Sequence, residues 1–420
     1  MTEGLLRYKS RWAKPILILL LAVYALIESA SGRNDWDIFV AASRSLFEAV
    51  DIYAITYFDG YHYYYSLFFA TVLYPFTLMP AAVGKFVWVC LNMAMIAAVL
   101  RRVWMWFEWQ GISIQTQRWV FVLIFLGTLR FLKSNVHLGQ TTILLLFLSL
   151  EALHCDNQKK GWGAGLLLSL AINIKLLPAV LLPYWMYRAR WKSAVIAGAC
   201  MMLWWMLPAA WLGTERTMAL MHSYVELVNP AQDKHVLDVE ETSFHGLSTL
   251  ISTLFSAHAH EHNGPEWKRN IADCSMETLS MLINGARLFF MLFTLYFLRT
   301  RPFKSAASSM HRAWELSYLL LIIPLIAPHQ QHYAFLFAMP AIAYVSYFLL
   351  VIKPNRAVML WSVFIAALVS FNLALWLGAF NTWYNHYKIL TYGALMMVAL
   401  LALLVPPVGK EKVGTSPTFN

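Results

Sequence analysis

The amino-acid sequence predicts an all-α fold, a polytopic transmembrane helical bundle of about 12 spans whose outer loops carry interfacial helices. Three observations carry that prediction. Hydrophobic residues make up 60% of the 420 residues and charged residues 13%, where soluble chains run near about 45–50% and about 25%. The mean hydropathy is +0.55, so the chain lacks the polar groups to cover a soluble surface. Aromatic residues reach 15%, with 18 Trp and 20 Tyr, a composition suited to the two interfaces of a bilayer. Disorder, a collagen-like chain, a disulfide scaffold and a soluble nucleic-acid binder are excluded as the main class.

Apolar runs bounded by charge or turn residues place helices at 15–31, 81–103, 118–132, 140–155, 162–174, 176–188, 193–211, 278–298, 313–328, 333–352, 357–376 and 388–405. Several fall short of the roughly 20 residues needed to cross hydrocarbon; the short ones flank Lys175, His332 and Asn135. The first run has a basic front like a signal peptide, but many spans follow, so it reads as an uncleaved helix. The whole of 1–405 then forms one membrane domain, with 406–420 a cytoplasmic tail.

Orientation follows from the basic residues. The chain holds 32 Lys and Arg against 22 Asp and Glu. Twenty of the 32 lie in loops that share one side, among them Arg7 to Lys14, Arg101, Arg102, Lys159, Lys160, Arg188 to Lys192, Arg299 to Arg312, Lys353 and Arg356. Basic loops stay in the cytoplasm, so both termini are expected there. The excess of positive charge thus calls for no nucleic acid. Loops 32–80 and 212–277 become extracytoplasmic. The first holds the amphipathic stretch DWDIFVAASRSLFEAV, with Ile38, Ala41, Ala42 and Leu46 on one side. The stretch ending at Pro80 is long enough to be a further span, but Pro75, Pro80 and a Tyr cluster favour a helix in the outer interface.

Ionisable groups at membrane depth are costly and are kept for function. Four clusters fall at one outward level: Asp35 and Asp37; Arg130, Lys133, Asn135, His137 and Gln140; Lys175; and His329 to His332. Each has a plainer reading. Asp35 can cap the helix that follows, and Arg130 and Lys133 can snorkel to headgroups. Lys175 is harder to dismiss, because its turn is very short. His329 and His332 have no carboxylate beside them in sequence, and the tract holding His258, His260 and His262 reads as a solvated loop tip, so no metal is expected. Arg287, in mid-helix, requires a partner that the sequence does not name. No Gly-rich phosphate loop, zinc-protease motif or nucleophile elbow occurs, and no cofactor is expected. The four cysteines are scattered and predict no disulfide.

Six stretches carry a resemblance: Asn34 to Tyr53, Tyr61 to Ala70 with Tyr65, the Asn135–Gly139–Gln140 run, Ile174 to Pro178 around Lys175, Glu241 to Ser248, and Ala327 to Tyr333. In order and spacing the chain resembles the GT-C superfamily of integral membrane glycosyltransferases, and within it glycosyltransferase family 87, which includes polyprenyl-phosphate-mannose-dependent mannosyltransferases. It departs from the family pattern at Leu67, where Pro is usual, and in carrying Gln before the late His.

The resemblance implies a polyprenyl phosphate sugar donor entering from membrane lipid and a glycan or glycolipid acceptor. Asp35 matches the acidic position and would act as general base. Lys175, Arg130 and His332 would hold the donor phosphate, with Asp37, Tyr65, Asn135, Gln140 and His329 completing the substrate site. The competing class is a transporter or flippase for a lipid-linked or charged solute using the same cavity; a lipid A or phospholipid head-group transferase is a further alternative.

Overall fold

The computed structural model describes residues 2–58, 60–229, 238–239, 241–259, 265, 267–299, 301–304, 306 and 308–407, with backbone alone for 2–14 and 17. His260 and His262, and the expected tail beyond Pro407, lie outside the described residues. Every described element is helical; the two isolated bridges, Tyr57 with Tyr61 and Phe244 with Gln331, belong to loops.

All twelve apolar runs form helices. Among the described residues six helices are long and apolar enough to cross a membrane, or seven if the bent pair Gly378–His386 and Ile389–Leu403 counts as one. Thr142–Asn157 has 16 residues and Gly161–Ile174 has 14. At 1.5 Å per residue these reach about 21–24 Å, short of the roughly 30 Å of hydrocarbon. The Tyr-rich stretch before Pro80 makes only two short helices, Leu67–Val72 and Tyr74–Thr77. Such a pair is too short to form a helical span.

Burial separates the centre of the bundle from its rim. In the stretch His332–Ile352, 83% of the most apolar window is buried, against 17% in Trp191–Leu212 and 22% in Met276–Leu298. Beside it Ser309–Ile326 buries Trp314, Tyr318, Leu320 and Leu321 completely. The rim helices instead expose Val195, Met202, Leu288, Phe289 and Leu292, as lipid-facing helices do. Close approach is achieved with glycine: a Cβ on Gly165 would stand 2.6 Å from Ile196, so Gly161–Ile174 and Trp191–Met206 touch backbone to side chain there.

The basic helix ends gather at one end of the bundle. Arg190 pairs with Asp156 at 3.3 Å, and Arg312 Nη1 donates to Asn157 Oδ1 at 2.6 Å. Arg188 forms a fully buried pair with Glu315, donates to the Leu298 carbonyl at 3.0 Å and to the Lys304 carbonyl at 3.2 Å, while Tyr184 donates to Glu315 at 2.9 Å. Three helices, Leu181–Tyr187, Met276–Leu298 and Ser309–Ile326, are thereby clamped through one guanidinium–carboxylate pair. Removing one member of a buried pair strands the other charge at a cost of about 3–5 kcal/mol. Glu315→Ala is therefore expected to lower the unfolding temperature of detergent-purified protein strongly, and the paired change Arg188→Met with Glu315→Leu to recover most of the loss. Equal melting of Glu315→Ala and the unmodified protein would contradict the clamp.

Candidate active site

At the other end of the bundle lies a cavity of about 590 Å³. Its first wall starts where the Asp35–Phe47 helix begins. Asn34 precedes that helix, and its amide donates to Asp37 Oδ2 at 2.8 Å, half of a capping box. Asp37 also accepts from Lys85 at 3.0 Å, and Lys85 donates to the Gly32 carbonyl at 3.0 Å. Two residues along a helix turn the side chain by about 200°, so Asp35 faces elsewhere. It lines the cavity.

Asp35 is held by the turn after Ile114–His137. Gln140 Nε2 donates to Asp35 Oδ2, and Tyr65 OH donates to Gln140 Oε1 at 3.0 Å. Gly139 makes that turn possible. Its φ of +67° is left-handed, its carbonyl accepts from Trp88 Nε1 at 2.9 Å, and a Cβ there would stand 2.6 Å from Trp36. Trp36 stacks on Trp88 with ring centroids 4.6 Å apart, which fixes the start of the Asp35 helix against the turn.

The second wall comes from the break between Gly161–Ile174 and the short helix Leu177–Val180. Lys175 adopts extended backbone there, with its ammonium 5.2 Å from the centre of the Tyr65 ring. Burial draws its pKa down to about 8, against the pull of Asp35. Burial likewise pushes Asp35 up to about 6, with Glu241 adding to the rise and Lys175 opposing it. A carboxylate that titrates near neutrality in a cavity is a candidate general base.

The third wall is two segments zipped together. His245 N donates to the Gln330 carbonyl at 2.8 Å, and Gln331 Nε2 donates to Glu241 Oε2 at 2.6 Å. His329 has a φ of +55°; its amide donates to Asp238 Oδ1 at 2.8 Å and its Nδ1 stands 3.0 Å from the same oxygen. Ser248 and Thr249 donate to the other oxygen of Asp238, which is wholly buried.

Of the residues expected from sequence, the cavity brings together Asp35, Tyr65, Gln140, Lys175 and His329. Four others stand behind it or aside. Asp37 is spent on the helix cap and Lys85. Arg130 Nη1 donates to Tyr384 OH at 2.7 Å and stacks on that ring, Asn135 Nδ2 donates to the carbonyls of Phe131 at 2.8 Å and Tyr333 at 3.0 Å, and His332 Nε2 lies 2.9 Å from Ser134 Oγ. Lys175 thus lines the cavity as a cation, and Arg130 and His332 do not. Polar groups inside an apolar bundle need internal partners, and these three found theirs in neighbouring helices. Sequence reasoning passed over two liners. Glu241 and Arg287 are legible in the sequence as ionisable groups, but not as liners of the cavity that holds Asp35.

The family model for glycosyltransferase family 87 matches residues 63–324, a stretch that takes in Tyr65, Gln140, Lys175, Glu241 and Arg287 and begins after Asp35. A polyprenol-phosphate-mannose-dependent alpha-(1-2)-phosphatidylinositol pentamannoside mannosyltransferase of Mycolicibacterium smegmatis is 28% identical over 193 residues, 44% of this chain and 44% of that relative. The match thus spans less than half of the relative's length. Because the family match covers well over half of the sequence and takes in most of the cavity's polar liners, the chain belongs to glycosyltransferase family 87.

Proposed function

We propose that the protein transfers a hexose, mannose, from a polyprenyl phosphate donor to a hydroxyl of a lipid-linked or envelope glycan, with inversion, on the extracytoplasmic face of a bacterial plasma membrane. The observation that carries this reading is Asp35, a carboxylate held by Gln140 in a cavity that also holds Lys175. Membership of family 87 supports the reaction class, and the name of the mycolicibacterial relative supports the donor. Leu177, Val180, Met291, Ile323 and Ile326 give the cavity an apolar side suited to a lipid chain. The basic loops gather at the opposite end of the bundle, which supports both termini being cytoplasmic.

In this mechanism Asp35 accepts the proton of the acceptor hydroxyl as its oxygen attacks the anomeric carbon. The bond from that carbon to the donor phosphate oxygen breaks, and its electron pair leaves with the phosphate. Attack from the face opposite the leaving group inverts the centre. Negative charge grows on the departing phosphate, and Lys175 stabilises it. A phosphate monoester is weakly basic, so no general acid is required. Gln140 orients the carboxylate, and its own orientation is set by Tyr65.

Three expectations follow from these assignments. Asp35→Asn should keep donor binding and lower turnover by about 10²–10⁴-fold, whereas Asp37→Asn should lower the melting temperature more than the turnover. Sugar transfer assayed with matched protein amounts decides this; normal turnover in Asp35→Asn would move the transport reading ahead. The pH profile of kcat/KM should be bell-shaped. Asp35 accepts a proton only above about 6 and Lys175 keeps its charge only below about 8, so activity falls on the acid side near the first value and on the alkaline side near the second. Lys175→Met should remove the alkaline limb; its persistence would release Lys175 from the donor site. Finally, with the natural cysteines replaced by serine, a cysteine at exposed His258 should react with an impermeant reagent outside intact cells and one at Lys192 should not. The reverse pattern would invert the topology.

A further inference from the structure

Met276–Leu298 is a rim helix whose outer face is apolar, yet it carries one arginine at its middle. Arg287 lies eleven residues into the helix, roughly 16 Å along its axis at 1.5 Å per residue. That depth excludes the easy escape of snorkelling from a helix end. Instead Arg287 lines the same cavity as Asp35 and Lys175. Its Nε and Nη2 atoms are buried and make no hydrogen bond with the described residues. Asp238 attracts it electrostatically, but that carboxylate is already taken by the His329 amide, Ser248 and Thr249. A buried guanidinium fork left unfilled is costly, and at membrane depth such a group marks a functional site.

The chemistry narrows what fills it. A guanidinium presents parallel donors that match two oxygens of a phosphate or carboxylate. One turn further along the helix Met291 also lines the cavity, with Ile323 and Ile326. Arg287 thus shares one cavity with polar groups and with an apolar set that begins a turn along its own helix. An anion carried at the head of a long apolar chain meets both conditions.

We infer that Arg287 grips the phosphodiester of the lipid donor and, with Lys175, forms the phosphate site, so that the boundary between head group and chain is read by a rim helix of the bundle. This rests on the glycosyltransferase reading for the source of the phosphate, though not for the anion site itself. A membrane phospholipid offers the same phosphodiester, and the test separates the two.

The full chain in lipid nanodiscs would be titrated with polyprenyl phosphate mannose, with uncharged polyprenol and with phosphatidylinositol, in parallel with a sugar-transfer assay. Arg287→Gln should weaken binding of polyprenyl phosphate mannose about tenfold or more, the loss of charge-assisted hydrogen bonds. It should leave polyprenol binding unchanged and raise the donor KM more than it lowers kcat. Arg287→Lys should recover part of the affinity and, by keeping the charge, also serves if the Gln variant does not fold. Unmodified donor affinity in a folded Arg287→Gln protein would overturn the assignment while leaving the transfer reaction intact. A loss confined to phosphatidylinositol would overturn the donor as source. Charge-dependent donor binding without sugar transfer by the unmodified protein would sustain the anion site and remove the glycosyltransferase reading.

Discussion

A single amide, that of Gln140, ties the site together. Its oxygen accepts from Tyr65 and its nitrogen donates to Asp35, while its backbone N–H donates to the Asn135 carbonyl at 2.9 Å. Buried donors and acceptors lose about 1–3 kcal/mol each when left unmade. A neutral group able to both give and take is therefore what lets a hydroxyl and a carboxylate share an apolar wall. A charged residue there would fix the protonation of Asp35; an apolar one would leave two polar groups stranded. The rest of the wall serves that amide, from the left-handed Gly139 to the stacked Trp36 and Trp88.

Beneath the cavity runs a second polar layer that does no chemistry in this mechanism. Arg130 with Tyr384, Asn135 with the Tyr333 carbonyl, and His332 with Ser134 join Ile114–His137 to the segments that begin at His332 and end near His386. Tyr384 passes the connection on by donating to the Ser370 carbonyl at 2.7 Å. Such networks orient what lies above them. Those at Tyr333 and His332 brace the irregular turn that follows His329, and such backbone is tolerated at membrane depth only where protein surrounds it.

Much of this was legible in the sequence, and the boundary of legibility has a physical form. Apolar runs located every candidate span, and interruptions in them located the level of Asp35, Gln140, Lys175 and His329, which all line the cavity; Tyr65, a further liner, came with the family resemblance. Level along a helix is set by sequence position, whereas azimuth depends on which neighbour the helix meets. Arg130, Asn135 and His332 stood at the right height and faced the wrong way. Asp37 was separated from Asp35 by helical geometry alone. Glu241 and Arg287 required knowing that a polar loop folds back over a rim helix, which no local pattern encodes. Run length is a related poor guide to where the chain crosses, because helices as short as Gly161–Ile174 sit among longer ones.

The contrast between buried centre and exposed rim has a consequence for how the sequence can drift. Between helices in lipid, shape rather than water exclusion drives association. Leu288, Phe289, Leu292 and Leu295 point away from the protein, and any apolar side chain satisfies the lipid they meet. Leu320, Leu321 and Phe337 have no exposed surface, and each is chosen by volume and rotamer against fixed neighbours. Two positions of equal hydropathy therefore carry unequal information: relatives of this chain are free to exchange Leu, Phe, Val and Met along the outside of Met276–Leu298, so long as Arg287 keeps facing inward, while the central pair of helices changes only by compensated, volume-conserving steps.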